Sequence, residues 1–114
     1  MSETDLYTQV VAYFDAFSAR DLDRLEELYS SNIYLRDWEG TWVGAQSVLY
    51  ANKEIFDGVE AIVVRPLALH FDAEARTCAA EVEILANGLE TLQVVDVIEF
   101  NSDGKITSIR AYKG

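Results

Sequence analysis

Apolar residues recur at helical spacing over residues 3–19, where Leu6, Val10, Tyr13, Phe14 and Phe17 fall along one side and Ser2 or Thr4 can cap the start. The pattern predicts a helix that turns an aromatic stripe towards the interior. A second, shorter helix is capped by Asp21, with Leu22, Leu25, Leu28 and Tyr29 inward and Asp23, Glu26 and Glu27 towards water. After Ser30-Ser31-Asn32 the period changes to two. Ile33, Leu35 and Asp37 share one face of a predicted strand, and Tyr34, Arg36 and Trp38 share the other. Glu39-Gly40 breaks that strand, Thr41 to Val43 is a short extended piece, and Gly44 leads into a third helix over 45–56 that Gly58 stops. Val48, Ala51, Ile55 and Phe56 are its expected buried side.

The remainder alternates. Residues 60–71 read as a long strand in which Pro66, unable to donate to a ladder, marks a bulge or an edge. A turn over 72–76 leads to a strand over 77–86, and Asn87-Gly88 is a hairpin signal feeding the stretch from Leu89 to Gly114. That stretch predicts two long strands joined by a turn at Asn101-Ser102-Asp103-Gly104. Leu92, Val94, Asp96, Ile98 and Phe100 share one face of the first of them, so Asp96 sits inside an apolar stripe. An unpaired buried carboxylate is costly, so Asp96 either takes a proton and donates, makes a structural hydrogen bond, or is turned outward by a bulge. The order helix, helix, strand, helix and then long antiparallel strands gives an α+β fold, a single domain over 1–114, with the three helices on one face of a strongly curved, mostly antiparallel sheet. Such a sheet leaves a cone with an apolar pocket, into which parity points Asp37 and Asp96 while Tyr13 lies on a covering helix.

Composition narrows the partners. Half of the 114 residues are hydrophobic, enough for one core, and the net charge of −11 with nine dispersed basic residues argues against nucleic acid or an anionic membrane. One Cys excludes an intrachain disulfide, and one His with one Cys makes a zinc site a poor expectation, so His70 reads as a surface or half-buried residue and Cys78 as a small hydrophobe. With no membrane-length apolar run and no basic signal start, a cytoplasmic location is expected. Val95 and Val97 leave apolar surface on the outer sheet face, from which a homodimer is expected.

The segments VVAYFDAFSARDLDRLEELYSSNIYLRD and VVDVIEFNSDGKITSIRAY resemble, without a gap, the first helices and strand and the last two strands of the NTF2-like superfamily, and within it the bacterial ketosteroid isomerases. The resemblance implies an NTF2-like cone. It places Tyr13 and Asp96 on the two oxyanion-hole donors and Asp37 on the catalytic base. Tyr29 resembles an aromatic position lining that family's site, and Tyr50, with a two-residue gap, a tyrosine that supports its oxyanion hole. Phe17 and Trp38 complete the expected substrate-binding set. Trp38 stands where the family usually has Pro.

The implied activity is a cofactor-independent isomerisation that moves a double bond by proton transfer next to the carbonyl of a hydrophobic, steroid-like or polycyclic ketone, with no metal. Two rivals stand beside it: a SnoaL-like cyclase using the same acid chemistry, and a non-catalytic NTF2-like binding or dimerisation module. A limonene-epoxide-hydrolase-like site would want an Arg beside the Asp, whereas Arg36 points opposite to Asp37, and a scytalone-dehydratase-like site is disfavoured by the single His.

Overall fold

A computed structural model describes residues 1–88 and 90–114; Leu89, the first residue of the predicted terminal pair of strands, lies outside the described residues. The order is α1 Glu3–Ser18, α2 Leu22–Leu28, β1 Tyr29–Arg36, β2 Thr41–Val43, α3 Ala45–Asp57, β3 Ile62–Asp72, β4 Thr77–Ala86, β5 Glu90–Phe100 and β6 Ile106–Lys113. Ser2 starts α1 with a capping box: its hydroxyl accepts from the Asp5 amide and the Asp5 carboxylate accepts from the Ser2 amide. Asp21 caps α2 by accepting from the Arg24 amide.

The strands form one six-stranded sheet in the order β2-β1-β6-β5-β4-β3. β3 to β6 run as an antiparallel meander, and β1 closes onto β6 in the parallel sense. Between the paired Ala86 and Glu90, Asn87 and Gly88 both take positive φ, 55° and 70°, the left-handed region that Asn and Gly enter most readily. Pro66 stands at a register shift between Pro66 and Ala68, the expected bulge. The helices cover one face, α1 over β3 and β4, α3 over β1 and β2. Beneath them Leu6, Val10, Leu25, Ile33, Val48, Cys78, Ile98 and Ile106 are fully enclosed.

Two expectations are corrected. Tyr29 does not end the second helix; it opens β1 in an extended conformation, because it pairs with Ile106 of β6, while the polar residues after it lie in a register shift before the ladder resumes at Tyr34. Ile55 is 40% exposed, and Asn52 takes its place among the buried residues of α3. Among the described residues no helix is long and apolar enough to cross a membrane.

Candidate active site

α1 and α3 and the inner face of the sheet enclose a cavity of about 700 Å³, within the range of small-molecule sites. Its walls are apolar: Phe14, Phe17, Ile62, Val64, Ile84, Val94 and Ile109 among them. Tyr13, Asp37, Asn52 and Asp96 bring polar groups into it, and Glu39, Thr91 and Lys113 add others to its lining.

Tyr13 reaches the cavity because Val10, Tyr13, Phe14 and Phe17 stack along α1 at three- and four-residue steps. Its ring lies 5.2 Å from Phe14, 6.0 Å from Phe17 and 6.4 Å from Tyr29, centroid to centroid, and Phe17 meets Phe56 edge-on at 4.8 Å, joining α1 to α3. Burial, with the Tyr29 and Asp96 groups nearby, holds the Tyr13 phenol well above its ordinary range, so it stays a donor.

Asp96 comes from the middle of β5 and is 8% exposed. Its cross-strand neighbours on the inner face are Ala80 of β4 and Ala111 of β6. Two small side chains leave room above the carboxyl and offer it no partner, which is why it opens into the cavity. Neither the Asp96 carboxyl nor the Tyr13 hydroxyl hydrogen-bonds within the described residues, yet none of their buried side-chain polar atoms is both sealed and unpartnered, so both groups retain accessible surface, on the cavity they line. Burial, and secondarily the Asp37 charge, raises Asp96 from the usual carboxylate range to about 7.

Asp37 follows the last residue of β1, half-buried on the same face as Ile33 and Leu35. Its Oδ1 accepts from the backbone amides of Glu39 at 2.7 Å and Gly40 at 3.2 Å, and its own amide donates to the Gly40 carbonyl at 3.0 Å. This turn fixes the carboxylate at the cavity wall with Oδ2 left for a ligand. Trp38 lines the rim, 44% exposed, with the Lys113 ammonium 5.8 Å from its ring centroid. Arg36 points away, to the Tyr112 hydroxyl at 2.6 Å.

Five of the seven expected residues, Asp37, Tyr13, Asp96, Phe17 and Trp38, share the cavity. Tyr29 stands behind the wall, buried, its hydroxyl donating to Asn52 Oδ1 at 2.6 Å. Tyr50 is 62% exposed and takes no part in the cavity: two residues from both Val48 and Asn52, it is turned about 200° from the inward face of α3. A hydrogen bond with Glu54 raises its pKa. The sequence reading missed Asn52, Glu39 and Lys113, all on the cavity; the helical period on which Val48, Ala51 and Ile55 were placed also puts Asn52 beside Val48. Among the described residues no three His, Cys, Asp or Glu side chains converge as metal ligands. His70 is exposed beside Glu81 at 2.7 Å, and Cys78 is fully enclosed, its thiol pushed up to about 11 by burial.

Residues 10–109 match the SnoaL-like domain. No curated protein matches the chain by sequence. Among solved structures it is similar to SalBIII, an epoxide hydrolase/cyclase-like enzyme of pyran ring formation in polyether salinomycin, at 19% identity and a TM-score of 0.86 over 99% of this chain and 93% of that one. A candidate isomerase of the SnoaL-like family from Agrobacterium tumefaciens is similar at 13% identity and a TM-score of 0.82, over 97% of this chain and 98% of that one. An NTF2-like protein of unknown function from Cytophaga hutchinsonii is similar at 13% identity and a TM-score of 0.80, over 96% and 89%. At these identities the likeness establishes the fold, the NTF2-like cone of helices on a curved sheet.

Proposed function

Because the chain belongs to the SnoaL-like family, we propose that it is a cofactor-independent acid–base enzyme that moves a double bond by proton transfer next to the carbonyl of a hydrophobic ketone, in the manner of a ketosteroid isomerase. The observation that carries this reading is the convergence of a phenol and a raised-pKa carboxyl on one apolar cavity, with a second carboxylate anchored at its wall. Asp37 Oδ2 takes a proton from the carbon α to the ketone. The C–H electron pair moves into the new C=C bond, and negative charge passes to the carbonyl oxygen. Tyr13 and protonated Asp96 donate hydrogen bonds to that oxygen, preorganised where water is largely excluded. Asp37 then returns the proton two carbons further along, so one carboxylate serves both transfers.

The test is the ultraviolet absorbance of the conjugated enone formed from a Δ5-3-ketosteroid. The wild-type protein is expected to form it, and Asp37→Asn to lose at least about a hundredfold in rate. The amide of that variant still accepts from Glu39 and Gly40 through Oδ1, so the turn survives. No enone from the wild type removes the isomerase reading. The likeness to SalBIII favours a second reading, in which the same donors activate a carbonyl or epoxide oxygen while a ring closes; product masses and cyclised skeletons from an open-chain hydroxy-epoxide distinguish it.

A further inference from the structure

We propose that Asn52 is a third hydrogen-bond donor of this site, its Nδ2 held towards the cavity by Tyr29 to receive an oxygen of the ligand. Asn52 is 3% exposed, lines the cavity from α3, and belongs to the very few buried polar residues. Its Oδ1 is committed to the Tyr29 hydroxyl at 2.6 Å, while its Nδ2 donates to nothing among the described residues. Since none of their buried polar side-chain atoms is sealed and unpartnered, Nδ2 keeps accessible surface, and the surface this residue presents is the cavity wall.

The amide orientation follows from chemistry. Were Oδ1 and Nδ2 exchanged, Nδ2 would donate to the Tyr29 oxygen and the phenol proton would have no acceptor, because the Tyr29 hydroxyl makes no other hydrogen bond among the described residues. Burial, with the Asp96 charge, keeps that phenol protonated, so it remains a donor that only Oδ1 satisfies. Tyr29 is thus a positioning residue behind the wall, and the locked amide selects ligands. A ligand that seals the cavity with an oxygen at Nδ2 satisfies the donor; one that presents only carbon there leaves a buried N–H unpaired and is penalised. The ligand class is a hydrophobic carbonyl compound whose oxygen meets this donor, by itself or together with Tyr13 and Asp96. The inference rests on the carbonyl reading of the cavity and concerns binding, so it is tested without turnover.

The probes are 1-tetralone and its hydrocarbon counterpart tetralin, titrated into the folded protein and followed by amide NMR shifts. Asn52→Leu is expected to weaken tetralone binding about tenfold relative to its effect on tetralin. Tyr29→Phe, which frees the amide to rotate, should lose part of that selectivity while leaving tetralin unchanged. Because Asn52→Leu alone strands the Tyr29 hydroxyl, the double variant Tyr29→Phe/Asn52→Leu, which removes both partners together, is measured beside it and is expected to show the full loss in a well-folded protein. Equal changes for ketone and hydrocarbon in the double variant, or none for either, overturn the proposal. If ketone selectivity falls as expected while no ketosteroid is isomerised, the donor stands and the isomerase reading fails; if isomerisation proceeds and selectivity is unchanged, the reverse holds.

Discussion

Asp96 carries a proton at pH values where an ordinary carboxyl has lost it, and that has a thermodynamic consequence. Its folded pKa is raised from 3.8 to about 7 by burial and by Asp37. Between those values the native state holds a proton that the unfolded chain releases, so the stability it contributes is complete below the unfolded pKa and is lost as pH rises through the folded one. Asp96→Asn keeps a neutral donor of similar shape and has nothing to release. Relative to wild type it should gain stability as pH rises from about 4 to 8, by up to about 4 kcal/mol, and level off above that. Chemical denaturation of both proteins across this window checks it; a difference independent of pH would mean that the native carboxyl is ionised throughout. Tyr13 sits in the same cavity with its pKa raised well above 10, so it does not titrate in this window. Tyr13→Phe should cost less activity than Asp37→Asn, since Asp96 still donates, but should weaken binding of a phenol that mimics the dienolate. Equal phenol affinity would remove Tyr13 from the donor pair.

Among the elements, the β4–β5 hairpin bears most directly on the cavity wall. Asn87 takes φ 55° in the turn, and its Oδ1 also accepts from the Glu60 and Ala61 amides at 2.7 and 3.3 Å, while its own amide donates to the Ala61 carbonyl at 2.8 Å. One side chain therefore ties the start of β3 to the hairpin, holding Ile62 and Val64 beside Ile84 on the cavity. Asn87→Ala keeps the backbone amide but loses both side-chain acceptor bonds and places a less tolerant residue at positive φ. A loss of about 1–3 kcal/mol in denaturation midpoint analysis is expected. A variant as stable as wild type would show that the β3–β4 ladder alone sets this edge.

At the scale of the whole molecule, the net charge of −11 would oppose association, but the outer sheet face offsets part of its own charge. Arg65 pairs with Glu83 at 2.7 Å and Arg110 with Glu99, and the His70 ring lies in hydrogen-bond contact with Glu81 at 2.7 Å. Between these pairs Val95 stands next to Tyr112, itself 47% exposed, and Val97 next to Ala79. We propose that a second copy covers this face. Sedimentation equilibrium at micromolar concentration should give a dimer, and Val95→Glu, which sets a carboxylate between Glu81 and Tyr112 on the face of both copies, a monomer. A monomeric wild type removes the proposal.

The sequence by itself determined the elements whose signals are local. Hydrophobic period gave α1 and the alternation of β5, the Asn87-Gly88 and Asn101–Gly104 turns fixed the hairpins, and the apolar neighbours of Asp96 forecast its burial, because each depends on residues within a few positions of one another. The resemblance to the NTF2-like superfamily placed Tyr13, Asp37 and Asp96 together before any contact was visible. Only the tertiary structure decided the rest. Tyr29 was drawn into β1 by a ladder to Ile106, a partner far along the chain, and turned from a wall residue into a support for Asn52. The third helix could have offered Tyr50 or Asn52 to the cavity, and its rotation against β1 and β2 chose Asn52. The room above Asp96 comes from Ala80 and Ala111, brought beside it by strand register, and an empty space between three strands has no signature in any one of them.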